Sequence, residues 1–303
     1  MLLFPSLTAS LLACLSLPSP PAATDQVLGP VNRSGLPQTS LRAHHSARMS
    51  LPQHQAVAGG DRKQDDGGLI TAYLFEHPQG RVLIDAGLGR RTKMDPKDYP
   101  GPLLIKALGE FRMGDPTVTA LADLGLSGDS IDTVILTHTH YDHIGGLEDF
   151  PAAEVRVTAQ ELAFGLNQPS NWSEPLARAN VETFTFDGGT YGPFNRHHDF
   201  FGDGSLILLP APGHTPGSTM VLVNLPQTSV LIMGDAAWTE ENWAEPMPKG
   251  GLPRRVFDSD WEQGMAALYQ VNSWAKAWPE LVVLSGHDAG NEDKLPAWPD
   301  ALH

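Results

Sequence analysis

Short apolar runs rich in Val, Ile and Leu recur along the chain and predict a strand-rich fold. They span 69–75, 81–84, 131–136, 154–157, 206–209, 220–223, 230–233 and 281–284. Each is too short for a typical helix and is flanked by turn-forming residues, which reads as a strand. Helical spacing occupies other stretches, 117–124, 159–166 and 261–277. In the last, Met265, Leu268, Val271 and Trp274 or Ala275 recur every three or four residues, which builds one apolar face. The mixture predicts an α/β or α+β fold. No period of about 20–50 residues repeats, which argues against a solenoid or propeller. The stretches 87–114 and 167–204 are loop-rich, and they are expected to form walls of a pocket.

The N-terminus has a different pattern. Residues 1–23 carry Leu2, Leu3, Phe4, Leu11, Leu12 and Leu17, then Pro18, Pro20, Pro21, Ala22 and Ala23, with no Lys or Arg. This is the apolar core and small-residue end of a signal peptide or lipoprotein leader without its usual basic start. The single cysteine, Cys14, follows Leu11-Leu12-Ala13 and resembles a bacterial lipobox, which makes a lipid anchor one reading and a plain signal core the other. Export to the periplasm, or lipid anchoring, is expected if the leader functions, and a cytoplasmic chain otherwise. Residues 24–66, rich in Pro, Gln, Ser, Arg and Gly, read as a linker and irregular N-terminal segment, ending in an irregular or edge-strand start to the domain. Residues 67–303 are then expected to form one domain.

Composition narrows the function. The 303 residues are 41% hydrophobic, long enough to bury a core without staples. Past the leader no run of about 18 apolar residues appears, so no integral membrane span is expected. Asp and Glu number 35 against 20 Lys and Arg, a net charge of -15, and that field repels a polyanion such as nucleic acid. A small-molecule substrate with an apolar part is the expected partner. Loss of the leader would also remove the only thiol, so a metal site must be built from His and carboxylate.

Such a set is present. After the apolar run 131–136 comes Thr137-His138-Thr139-His140-Tyr141-Asp142-His143-Ile144-Gly145-Gly146. Residues two apart in extended backbone face the same way, so His138 and His140 can address one point, and a turn presents Asp142 and His143 alongside. Three further apolar runs each end in a glycine and a candidate ligand: Gly213-His214, Gly234-Asp235 and Gly286-His287. Five His and two Asp suffice for two divalent ions, Zn(II) first, with Mn(II) or Fe(II) as alternatives. The other histidines, His44, His45, His54, His77, His197, His198 and His303, read as ordinary structural or surface residues.

His138, His140, Asp142 and His143 match the His-x-His-x-Asp-His hallmark, and from about Leu69 to His287 the chain resembles the metallo-β-lactamase fold superfamily. Leu83-Ile84-Asp85-Ala86-Gly87 is similar to that family's early aspartate motif. The resemblance implies a four-layer αββα sandwich of two mixed β-sheets flanked by helices. It assigns His138, His140 and His214 to a first ion, Asp142, His143 and His287 to a second, and Asp235 to a bridge. Asp85 and Thr137 would support the ligand loop, and Asp142 and Asp235 would serve catalysis, with Asp142 carrying a proton to the leaving alkoxide.

Several branches share this hallmark. Histidine at 140 argues against the flavodiiron type, Asp235 against antibiotic-degrading lactamases, and the short stretch after His287 against a glyoxalase II-like thioesterase. Residues 201–205, 212–218 and 234–242 resemble N-acyl homoserine lactonases most. Hydrolysis of an ester or lactone by a metal-bridging hydroxide is the favoured reading. Trp238 stands where characterised lactonases of this type usually carry tyrosine, which makes aryl ester or organophosphate hydrolysis, as in methyl parathion hydrolase, the alternative. A non-catalytic metal-binding relative is a further class. Trp238 and Trp243 are expected near the ions as pocket walls, and Trp261, Trp274 and Trp278 in the core.

Overall fold

Alternation within each apolar run decides the layers. The computed structural model describes residues 17–18, 33–95, 97–102 and 111–303. Cys14 and most of the leader, together with residues 24–32 of the expected linker, lie outside the described residues. The seven-stranded sheet runs β4 (Arg112–Met113), β1 (Ser40–Met49), β2 (Gly68–His77), β3 (Gly80–Ile84), β5 (Thr133–Ile135), β6 (Glu154–Thr158) and β7 (Asn180–Phe184). It is antiparallel from β4 to β3 and parallel from β3 to β7. The five-stranded sheet runs β12 (Val282–Leu284), β11 (Ser229–Ile232), β10 (Thr219–Asn224), β9 (Leu206–Pro210) and β8 (His198–Asp199). Its only parallel pair is β11 with β12.

The inner faces of the sheets close on each other. Tyr73, Phe75, Val82, Ile84 and Ile135 meet Leu206, Leu208, Val221, Val223, Val230 and Ile232 in one core. Their strand neighbours point the opposite way, as period-two geometry requires. Ile207, Leu209, Met220, Leu222, Leu231 and Met233 pack on Met265, Leu268, Val271 and Trp274 of the helix Trp261–Ala277. Asp260 starts that helix by accepting from the backbone N–H groups of Glu262 and Gln263. On the far side, Leu74, Leu83, Val134 and Val155 pack against Leu121, Ile144, Leu147 and Leu176. The result is the four-layer αββα sandwich, with Trp274 and Trp278 in its core.

Two sequence expectations need correction. Within 24–66 the strand start is longer and better buried than an irregular or edge segment: Ser40–Met49 forms a ten-residue strand with only the two-residue β4 outside it, and Leu41 and Ala43 lie in the core between the sheets. Its pairing with β2 shifts register between His45 and Ala47, and this bulge breaks the alternation that would have marked the strand. The stretch 167–204 is also less irregular than expected, since it holds the helix Ser170–Arg178 and strand β7. The helix expected over 117–124 is α-helical at Thr117–Ala120 and tightens to 3₁₀ over Leu121–Leu124. Pro18, read as part of the leader, accepts a hydrogen bond from the Tyr269 hydroxyl at 3.2 Å. Among the described residues no helix is long and apolar enough to cross a membrane.

Candidate metal centre

The expected ligands leave the ends of strands at one edge of the sandwich. Asp85 follows β3, residues 138–143 follow β5, His214 follows β9, Asp235 follows β11 and His287 follows β12. All seven expected ligands are buried, and they form three overlapping groups able to hold a metal ion: His138, His140 and His214; His138, His143 and Asp235; and Asp142, His143 and His287. Asp235 is central. Its Oδ1 lies 3.3 Å from His143 Nε2, and its Oδ2 lies 3.1 Å from His287 Nε2 and 3.4 Å from His214 Nε2. His287 Nε2 is also 3.4 Å from Asp142 Oδ2.

Hydrogen bonds behind the rings settle which nitrogen faces inward. Nδ1 of His287 donates to the Leu69 carbonyl at 2.8 Å, Nδ1 of His214 to Asp258 Oδ1 at 2.8 Å, and Nδ1 of His143 to Asp85 Oδ2 at 2.8 Å. Thr137 Oγ1 donates to Asp85 Oδ2 at 2.7 Å and faces His138 Nδ1 at 3.2 Å. Each of these four rings therefore turns Nε2 toward the centre. His140 instead presents Nδ1, 2.9 Å from His214 Nε2.

This donor set fits divalent cations. The buried Nε2 atoms of His138 and His143 and Oδ1 of Asp235 have no hydrogen-bond partner. Buried polar atoms are rarely left so, and the acceptor character of the group calls for positive charge. Titration follows the same geometry. Burial drives His138 and His140 well below the usual histidine range, with neighbouring imidazoles adding to it. Burial opposes charge on His143 too, but Asp85, Asp142 and Asp235 overcome it and raise its pKa well above the usual range. Burial raises the Asp142 pKa, whereas His287 and His143 hold Asp235 well below the usual carboxylate range against its own burial.

Backbone geometry brings the loops this close. Asp85 has φ 57°, a left-handed conformation uncommon outside glycine. There its carboxylate reaches the Thr137 N–H at 2.7 Å as well as the Thr137 hydroxyl and His143. Gly286 is needed because a Cβ there would overlap Asp235 Oδ1.

Three contributors carried no sequence signal strong enough to single them out. Glu161 is fully buried and joins two ligand loops, accepting from Thr139 N–H and Oγ1 at 2.8 and 2.7 Å and from Thr215 Oγ1 and Gly217 N–H at 2.7 and 3.0 Å. Asp258 backs His214, and Lys249 backs Asp258 at 2.7 Å. An acidic residue three positions into the helix Ala159–Leu166 was the one legible hint of Glu161.

Beside the centre lies an apolar cavity of about 470 Å³. His140, Phe164, Gln168 and Trp172 form one side, and Gln55 with Leu252, Pro253, Val256 and Phe257 forms the other. The stretch 167–204 thus supplies Gln168 and Trp172, but the helix Gly251–Phe257 is the larger wall. Trp238 lines the smaller pocket directly over the ligands, and its indole N–H donates to Asp235 Oδ2 at 2.8 Å. Trp243 lines neither of these two pockets. Its N–H bonds Ser285 Oγ at 3.2 Å, and its ring packs on the core under the second sheet.

Comparison with known proteins finds relatives that share this fold. An N-acyl homoserine lactonase AttM from Azorhizobium caulinodans is 28% identical over 76% of this chain and 83% of its own length. A B. thuringiensis AiiA variant with N-decanoyl-L-homoserine bound at its active site shares the fold, with a TM-score of 0.70, 21% identity and coverage of 88% of this chain and all of that one. AidC, a dizinc quorum-quenching lactonase in complex with a product, has a TM-score of 0.61 at 16% identity, covering 88% of this chain and 90% of its own. The family model of the metallo-beta-lactamase superfamily matches residues 65–272, and the chain belongs to that superfamily.

Proposed function

We propose that this chain opens the lactone ring of N-acyl homoserine lactones as a dinuclear-metal hydrolase. The observation that carries the reading is the convergence of unpartnered His138, His143 and Asp235 atoms at the mouth of an apolar cavity. The lactonases to which the chain is similar supply the substrate class. His138, His140 and His214 would hold one ion and Asp142, His143 and His287 the other, with Asp235 between them. The imidazole-rich set favours zinc. Bound there, two such ions supply hydroxide at neutral pH and an electrophile for a carbonyl oxygen.

The chain's own residues do the remaining work. Asp85 and Thr137 hold His138 and His143 in the productive tautomer. Phe164, Trp172, Val256 and Phe257 take up an acyl tail and exclude water from it. Asp142, which lines the small pocket, would take the proton that the attacking hydroxide brings and pass it to the leaving alkoxide. Trp238 gives its one N–H to Asp235, so no phenol acts at that position. The apolar leader supports export, with Cys14 as a lipid attachment point in the lipoprotein form.

The test is hydrolysis by the zinc-loaded chain of acyl homoserine lactones, aryl esters and organophosphates, alongside His140→Ala and Asp235→Asn. Lactone opening that is lost in both variants together with bound metal is expected. Turnover confined to aryl esters or organophosphates would replace this reading with the alternative branch.

A further inference from the structure

Behind His214 lies an ion pair that the mechanism does not use. Lys249 is only 4% exposed, and its Nζ lies 2.7 Å from Asp258 Oδ1, 3.3 Å from His214 Nδ1 and 5.5 Å from the centroid of the Trp238 ring. The same Asp258 Oδ1 accepts the His214 Nδ1–H bond at 2.8 Å. Stability alone does not account for this arrangement, because well-packed apolar residues serve a core as well as a buried ion pair does.

Its place in the chain does. Lys249 stands two residues before the helix Gly251–Phe257 and Asp258 directly after it, so the pair closes the two ends of that helix on each other. The backbone ties the same segment down: Ser259 N–H donates to the His214 carbonyl at 2.9 Å, and Gly250 N–H to the Gln55 carbonyl at 2.9 Å. Leu252, Val256 and Phe257 of this helix wall the apolar cavity, although Leu252 and Val256 are 70% and 63% exposed.

We infer that Lys249 is a positioning residue that clasps the cavity helix onto the His214 imidazole, so that one ion pair sets both the apolar wall and the orientation of that ring. The inference rests on His214 being a metal ligand, as proposed above. With the ammonium gone, Asp258 is a lone buried carboxylate that must draw in water or give up its contact with His214. The helix then loses its clasp and His214 its fixed partner in the same step.

The experiment replaces Lys249 with Met in the full chain and measures zinc affinity by competition with a chromogenic chelator. KM is measured in parallel for a decanoyl and a hexanoyl homoserine lactone. Zinc affinity is expected to fall roughly ten- to a hundredfold, as for other groups that orient a ligand from behind. KM should rise more for the decanoyl than for the hexanoyl substrate, and Lys249→Arg should recover most of both losses. If Lys249→Met does not fold, Asp258→Asn provides the same zinc comparison with the acceptor for His214 retained. A lower melting temperature with unchanged zinc affinity and unchanged chain-length dependence would overturn the clasp. A wild-type chain that binds zinc but opens no lactone removes the substrate reading and leaves the clasp to be decided by the zinc competition. One that takes up no zinc overturns both.

Discussion

Glu161→Ala isolates the frame from the metals. The Glu161 carboxylate is fully buried and accepts four hydrogen bonds, two from the loop carrying His138 and His140 and two from the loop after His214. In the alanine variant the two hydroxyls can rotate to other acceptors. The N–H groups of Thr139 and Gly217 cannot, and each orphaned buried donor costs about 1–3 kcal/mol. Taking a value near 1.5 for each gives a loss of about 3 kcal/mol, which is a drop in melting temperature of roughly 6–12 °C for a domain of this size. Urea or thermal unfolding in the presence of a chelator measures it without any contribution from bound metal. Glu161→Gln should fall between, because an amide offers one acceptor oxygen where two donors now face its other atom. A Glu161→Ala midpoint within a degree of wild type would refute the reasoning. It would mean that burying the charge costs as much as the four bonds return.

Three further outcomes are expected. Gly286→Ala should keep native circular dichroism while losing bound zinc on elemental analysis, since its Cβ takes the position of Asp235 Oδ1; full zinc content would show that the loop yields freely. Trp238→Phe removes the donor to Asp235 Oδ2 and should weaken zinc retention against a chelator by about tenfold, an unchanged retention showing that the indole is only packing. His45, held by burial at a pKa of about 4 against an ordinary 6.5, binds fewer protons folded than unfolded, so stability should fall as pH drops from 6.5 toward 4. At about 1.4 kcal/mol per pH unit, discounted for partial exposure, the wild type should lose about 1 kcal/mol more than His45→Gln between pH 7 and 5, and equal losses in urea titrations would remove His45 as the cause.

What the sequence disclosed and what it hid follow from the range of each interaction. The eight apolar runs became β2, β3, β5, β6, β9, β10, β11 and β12, because a buried strand writes its environment into consecutive residues. Strand β1 was legible only as an irregular or edge-strand start without bounds, since two adjacent histidines and the bulge near Ser46 break its alternation and its inward side chains are mostly small. At the centre, His and Asp gathered at strand ends were legible as a metal-binding set. Glu161, Lys249 and Asp258 were not, because a charged residue in a loop or short helix looks the same whether it meets water or a buried partner 44 residues away, as Asp258 meets His214. The cavity wall was missed for a related reason. Gly251–Phe257 holds a proline and two arginines in seven residues and acquires its meaning only when folded back over His140. Trp243 was misplaced because nearness to Asp235 along the chain does not choose between the two faces of the backbone.

The parallel pairing of β11 with β12 has a consequence for how the protein is made. Between these strands run the cavity helix and the long helix Trp261–Ala277, and His287 follows immediately after the second strand. Chains emerge from the ribosome N-terminus first, so Asp85 and the residues from 138 to 143 are available long before the last donor. Contacts between segments so far apart in sequence also form slowly. His287 can therefore join the other donors only once β12 has been made and has paired with β11. On the proposed ligand set, a product ending before β12 would carry the histidines at 138, 140 and 143 without the donor at 287.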